Sequence, residues 1–226
     1  MAVYACADLH GNLNLYKQIK AFLKPEDIVY FLGDATDRGD EPWKLAKMIY
    51  TDNQFIYIKG NHEDMLVSAG REFYEFGFIG LDTQHLYSNG GERTFEQWLE
   101  EDYKKEWLNC LDKLPLQKTY VNKDGFEIIL THAGFTPGSY QEMNLLWDRS
   151  HFNDEWWNGS RLAKVIIVHG HTPIYYMSEE EEVEPGAYWY CDNHKINIDN
   201  GTYATGFTCL LDLDTFDEHI FYDKEI

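Results

Sequence analysis

Three short apolar runs open the chain, each followed by a segment whose apolar residues recur at helical spacing. Val3–Ala7, Ile28–Leu32 and Phe55–Ile58 have the length and composition of buried strands. Between them Leu13, Tyr16, Ile19 and Leu23 share one helix face that stops before Pro25. Pro42 sits at the first turn of a helix carrying Trp43, Leu45, Met48 and Ile49. A longer helical pattern starts near His62. This alternation predicts an α/β core with parallel strands. From about residue 73 to 114 the pattern is helical, with Phe95, Trp98, Leu99, Trp107, Leu108 and Leu111 as apolar positions, and predicts a cap-like insertion. Strands resume at Leu116–Val121, Phe126–Thr131 and Val165–Val168, and the end is β-rich at Ile196–Ile198, Phe207–Leu213 and His219–Tyr222. No repeat and no linker divides the chain, so residues 1–226 read as one domain. No G-x-G-x-x-G follows a strand, so the expected fold is a mixed α/β sandwich and not a Rossmann unit.

The polar residues that interrupt this pattern are placed at strand ends. Asp8-Leu9-His10-Gly11, Gly33-Asp34 and Gly60-Asn61-His62-Glu63 follow the first three runs; Thr131-His132-Ala133-Gly134 and His169-Gly170-His171-Thr172-Pro173 follow two later ones. The carboxyl ends of strands in such a sheet face a common crevice. Five segments would thus bring Asp, Asn and His side chains together, and five of the nine histidines lie in these clusters. Taken singly, each residue has an ordinary explanation: a hydrogen-bonded histidine, an Asp capping a helix, a turn glycine. Jointly, oxygen and imidazole donors without thiolate point to a manganese-, iron-, zinc- or magnesium-like ion.

Asp8-Leu9-His10-Gly11, the run Gly33-Asp34-Ala35-Thr36-Asp37-Arg38-Gly39 and Gly60-Asn61-His62-Glu63 resemble the GDxHG, GDxxDRG and GNHE blocks of the calcineurin-like metallophosphoesterases of the phosphoprotein phosphatase superfamily. Thr131-His132-Ala133-Gly134, Leu146-Trp147-Asp148-Arg149, Gly170-His171-Thr172-Pro173 and Ile198-Asp199-Asn200-Gly201 resemble its later blocks, in the family's order. Ala7 stands where the family has glycine, and the GHTP block resembles the bacterial and phage serine/threonine phosphatase branch, which also holds symmetrical diadenosine tetraphosphate hydrolases. The resemblance implies a four-layer αββα sandwich with a helical insertion and two divalent ions, manganese first, with iron or zinc as alternatives. It implies that Asp8 and His10 hold the first ion, that Asp34 bridges, and that Asn61, His132 and His171 complete the second. A water between the ions would attack phosphorus in line. His62 would be the general acid, oriented by Asp37, while Arg38 and Arg149 would grip phosphate oxygens. His169 is expected to be structural, and Glu63 to favour the helix N-terminus that it begins. The implied activity is phosphomonoester hydrolysis, as a serine/threonine protein phosphatase, with a symmetrical bis(nucleosyl)tetraphosphatase as the alternative.

Charge narrows the partners. The formal net charge of −20 repels phosphate backbones, so the expected partner is a phosphorylated protein or a small phosphomonoester and not a nucleic acid. The acidic stretch at residues 178–184 reads as a solvated loop. Cys6, Cys110, Cys191 and Cys209 form no C-x-x-C pair and read as reduced thiols. No apolar run reaches the ~20 residues of a membrane span. The N-terminus has no basic, apolar leader pattern, so the expected compartment is the cytoplasm, with no membrane partner.

Overall fold

In the computed structural model, residues 1–134, 141–153, 164–177 and 184–223 are described. Among them lie ten strands in two five-stranded mixed sheets and eight α-helices, the αββα arrangement that the resemblance implies. The acidic stretch falls, up to residue 183, outside the described residues.

The first three apolar runs form β1 (Val3–Cys6), β2 (Ile28–Phe31) and β3 (Phe55–Tyr57), which pair in parallel. The connections are the helices α1 (Leu13–Phe22) and α2 (Pro42–Thr51), as the periodicity predicts. β9 (Phe207–Asp212) runs antiparallel beside β1, and β10 (Glu218–Tyr222) closes that edge. The second sheet has the order β4 (Gln117–Val121), β5 (Glu127–Thr131), β6 (Val165–His169), β8 (Lys195–Asn197), β7 (Tyr188–Tyr190). β5, β6 and β8 are parallel, with antiparallel β4 and β7 at the edges. β7 is the strand that the sequence pattern misses: Tyr188, Trp189 and Tyr190 are all half-buried, so they show no alternation of apolar and polar positions.

Side-chain alternation explains the layering. On β1, Val3 and Ala5, followed by Ala7 just beyond the strand, point into the space between the sheets with Leu32, Ile58, Leu130, Val168 and Ile198. Tyr4 and Cys6 point the other way, into a core shared with the helices. A strand buried on both faces needs apolar residues at every position, which is why β1 and β6 read as uninterrupted apolar runs. The outer face of the second sheet carries Val165 and Ile167, packed with Leu145 of α7 (Glu142–Trp147).

The helical middle comprises α3 (Asn61–Phe76), α4 (Leu81–Ser88), α5 (Glu92–Leu99) and α6 (Lys104–Asp112). It does not stand off as a cap. Leu86, Phe95, Trp98, Leu108 and Leu111 enter the same apolar core as Phe31 and Leu45. Gly70 of α3 lies where an added Cβ would strike Leu108, so α3 and α6 pack at close range. A short α8 (Thr202–Thr205) leads into β9.

Trp98 is fully buried and donates its indole N–H to the Lys104 carbonyl at 2.8 Å. Trp98→Ala should therefore cost about 3–5 kcal/mol. Urea unfolding followed by circular dichroism should show one shifted transition for the whole chain. An early, separate transition for the helical middle, with the remainder unmoved, would mean that this segment is an independent cap.

Candidate active site

Five strand-end segments build the site before any side chain is considered. The chain leaves β1 and β2 side by side, and the backbone bonds continue past the strands: Asp8 N–H to Gly33, His10 N–H to Asp34, Gly11 N–H to Ala35. On the second sheet Gly170 N–H bonds to His132 and Ile198 N–H to His169. These turns force a left-handed backbone on side-chain-bearing residues. Of the ten non-glycine residues with positive φ among the described residues, six are Asp8, His10, Asp34, Asp37, Arg38 and His171. Such conformations cost about 1–3 kcal/mol each and persist only where the surroundings enforce them. Their concentration here marks where strain is tolerated.

Gly60 and Gly170 let the segments close on one another. A Cβ on Gly60 would collide with Asp34 Oδ1, and one on Gly170 with Asp8 Oδ2. Beyond Gly60, α3 begins with Asn61, and the His62 N–H donates to Asp34 Oδ1 at 3.0 Å. Asp34 thus takes the positive end of a helix dipole.

Glu63 does more than favour that helix start. It is fully buried and accepts from the backbone N–H groups of Asp34 and Ala35 at 2.9 Å, Thr36 at 3.2 Å and Gly60 at 2.9 Å. The Tyr57 hydroxyl donates to it at 2.7 Å. One carboxylate therefore ties the loop after β2 to β3 and to the first turn of α3. Burial and the nearby Asp34 carboxylate raise its pKa.

The side chains converge in two groups around Asp34. His10, Asp34 and His62 offer ligand atoms within 4.8 Å of one another, and so do Asp34, His132 and His171. His10 Nδ1 donates to the Thr36 carbonyl at 2.9 Å, which leaves the Nε2 lone pair facing inward. His132 Nδ1 likewise donates to the Leu32 carbonyl at 2.7 Å, and its Nε2 lies 2.8 Å from Asn61 Oδ1. Asn61 Oδ1 is also 2.9 Å from His171 Nδ1, and Asp34 Oδ1 is 3.5 Å from His132 Nε2. Asp8 stands outside both groups but borders them: its Oδ2 accepts the His171 N–H at 3.0 Å.

This donor set fits a metal. Asn61 Oδ1 lies within 2.9 Å of both His132 Nε2 and His171 Nδ1, so an amide oxygen and two imidazole nitrogens, all metal-ligand atoms, face one another. Asp8 Oδ1 and His171 Nε2 are buried without a hydrogen-bond partner among the described residues. Burial, together with the charges of Arg38 and His62, holds His10 well below the usual histidine pKa; burial and His132 do the same to His171. Neutral imidazoles are the form that coordinates metal. Burial would raise Asp34, but His132, His62, His10 and His171 pull it below the carboxylate range. Burial, with Asp199 and Asp34 nearby, pushes Asp8 well up, and burial pushes Asp199 up to about 7. Three carboxylates crowded out of water call for cations.

A second arrangement sits at the rim. His62 Nδ1 donates to Asp37 Oδ2 at 2.6 Å, and Asp37 is held in turn by Thr94, whose hydroxyl donates to Oδ1 at 2.5 Å and accepts the Asp37 N–H at 2.9 Å. Burial alone would lower His62, but the Asp34 carboxylate and the Asp37 bond outweigh it and raise its pKa. Arg38 donates to His10 Nε2 at 2.8 Å and to His62 Nε2 at 3.1 Å, with its guanidinium 4.7 Å from the Tyr203 ring. The His62 contact belongs to the neutral imidazole, because a protonated Nε2 has no lone pair to offer. Arg149 Nε donates to Thr172 Oγ1 at 3.1 Å, beside His171. His169 lies outside the donor set, bonded to the Tyr190 hydroxyl at 2.6 Å.

A family model for calcineurin-like phosphoesterases matches residues 1–200. The chain belongs to the calcineurin-like phosphoesterase family. It is accordingly an enzyme of the phosphatase type, in a family that works through paired metal ions. Among curated relatives, the asymmetrical bis(5'-nucleosyl)-tetraphosphatase PrpE of Oceanobacillus iheyensis is 24% identical over 76% of this chain and 68% of its own length. The symmetrical bis(5'-nucleosyl)-tetraphosphatase of Delftia acidovorans is 24% identical over 67% of this chain and 51% of that protein. That of Pseudomonas fluorescens is 28% identical over 61% of this chain and 44% of that protein. The chain therefore spans about half the length of the symmetrical relatives it matches. A candidate diadenosine tetraphosphatase shares the fold with TM-score 0.65, 13% identity and coverage of 99% of this chain and 94% of that one. A serine/threonine phosphatase from Saccharomyces cerevisiae does so with TM-score 0.57, 16% identity and coverage of 100% and 81%.

Glu63→Gln keeps the shape but turns an amide NH2 toward backbone N–H donors. The loss should be about 1–3 kcal/mol of stability. Divalent-metal affinity should fall with it, because the Asp34 turn loses its tether. Calorimetric unfolding with a manganese titration measures both; unchanged values would remove Glu63 from the scaffold of the site.

Proposed function

We propose that this enzyme hydrolyses phosphoric esters and anhydrides at a two-metal centre, with a dinucleoside tetraphosphate as its substrate. Asp8, His10 and Asp34 would hold one cation, and Asp34, Asn61, His132 and His171 the other. Bound there, the ions supply Lewis acidity and an activated water. The observation that carries the reading is the Thr94–Asp37–His62 relay beside the Asp34 cluster. It fixes Nδ1–H on Asp37, so that Nε2, once Arg38 turns away from it, carries the proton given to the leaving oxygen. The negative surroundings that raise the His62 pKa favour that protonated form near neutral pH.

His10 Nε2 cannot serve both Arg38 and a cation. In the working site Arg38 turns from the imidazoles to the phosphate, where its planar fork spans two oxygens, supported by the Tyr203 ring. Arg149, held by Thr172 next to His171, would supply the second guanidinium.

The nucleotide substrate moves ahead of the protein-phosphatase expectation on two grounds. The curated relatives carry dinucleoside tetraphosphatase names, and an aromatic cavity opens next to Arg149. Phosphoprotein hydrolysis stays as the second reading, on the fold shared with the yeast serine/threonine phosphatase.

With manganese, turnover of diadenosine tetraphosphate should exceed that of p-nitrophenyl phosphate and a phosphoserine peptide. Fastest turnover of the phosphopeptide would reverse the order of the two readings. His62→Ala should lower kcat by ~10²-fold or more without loss of bound metal. The raised pKa of His62 puts the alkaline fall of the wild-type rate above pH ~6.5. The rate should drop as pH rises through that pKa, and the limb should vanish in the variant. An unchanged rate or an unchanged limb would free His62 of the acid role.

A further inference from the structure

We infer that the cavity beyond Arg149 is a binding site for the aromatic base of a nucleotide substrate, with Tyr176 as its exposed stacking platform. The inference rests on the nucleotide reading above and adds where, and by which residues, the base is recognised. The cavity measures about 460 Å³, within the range of small-molecule sites, and is bordered by Arg149, Phe152, Thr172, Tyr176, Met177, Tyr188 and Tyr190. Four of these seven are aromatic. Three of the rings stand in a connected set: Phe152 and Tyr190 centroids are 5.8 Å apart edge to face, and Tyr188 and Tyr190 are 6.1 Å apart at 31°, while Tyr176 packs on Tyr175 at 4.5 Å.

Two of the rings are anchored and one is presented. Tyr190 is fixed by its hydroxyl on His169 Nε2 at 2.6 Å. Phe152 packs 5.9 Å from that same imidazole. Tyr176 is 72% exposed, at the end of a single helical turn that begins with Ile174, just after Pro173. An aromatic face left in water beside a ring-lined cavity gains by stacking on a planar ligand, and base–ring stacking accepts any base.

Position ties the cavity to the reaction. Thr172 directly follows His171, and its hydroxyl accepts from Arg149 Nε. The Arg149–Thr172 pair therefore borders both the donor cluster and the cavity. A phosphate chain reaching from the cluster would pass the guanidinium first, and its tethered base would enter the cavity next. A ring bonded directly to the scissile oxygen, as in an aryl phosphate, would stop short of it. Charge agrees with this order: Arg149 is the cation on the cavity's border, and the remaining lining is aromatic, hydroxyl and thioether.

The test compares KM for diadenosine tetraphosphate with KM for inorganic tripolyphosphate, which has the anhydride chain without a base. In Tyr176→Ala the ratio of the two should rise at least about fivefold, and Tyr176→Phe should restore it. A third arm with p-nitrophenyl phosphate, whose ring sits on the scissile oxygen, should show no such rise. If the wild type turns over the dinucleotide fastest but the alanine ratio does not move, the cavity is not the base site and the nucleotide reading survives. If the wild type prefers the phosphopeptide, both fall together. If the change raises KM for p-nitrophenyl phosphate instead, the cavity takes aryl phosphates and the base assignment is overturned.

Discussion

The centre of this molecule is organised around buried ligand atoms crowded against one another. Asn61 Oδ1 and His132 Nε2 meet at 2.8 Å, while the other nitrogen of that imidazole is already committed to the Leu32 carbonyl. Asp8, Asp34 and Asp199 lie close by, all buried. No packing arrangement makes such a cluster comfortable unless positive charge occupies it, since a buried lone pair or carboxylate without a partner costs several kcal/mol. Bound cations would turn that expensive interior into a stable one. The same charge would draw an incoming phosphoryl group to a chain with a formal net charge of −20.

Holding the cluster together in the meantime falls to parts that touch no substrate. The backbone bonds between the turns after β1 and β2 set the spacing of Asp8, His10 and Asp34. Glu63 collects the N–H groups that those turns leave unpaired. The helical middle reaches in through Thr94, which fixes Asp37 and through it the ring of His62. That segment is therefore part of the site's support as well as part of the core. Strained φ values at six site residues are sustained by this redundancy of contacts.

Much of this was legible beforehand, for identifiable reasons. Strands buried on both faces announce themselves as unbroken apolar runs, so β1, β2, β3 and β6 stand out, while half-buried β7 does not. The site residues were legible because they punctuate strand ends in a recurring order. Thr94 was not: a threonine on a helix, four residues from Trp98, looks like any surface position, and only the fold brings it against Asp37. Glu63 was visible as a helix-start acid, but its four backbone partners are set by how the loop after β2 returns to it. Tyr176 and Tyr190 carried no signal either, since aromatic residues near strand ends are usually core. Among the described residues no helix is long and apolar enough to cross a membrane.

The central claim is that two cations share Asp34. The most direct measurement is an anomalous difference map from crystals soaked in manganese, collected at the metal's absorption edge. Two peaks should appear, one beside His10 and one between Asn61, His132 and His171, with the Asp34 carboxylate reaching both. A single peak, or two peaks without Asp34 between them, would contradict the account.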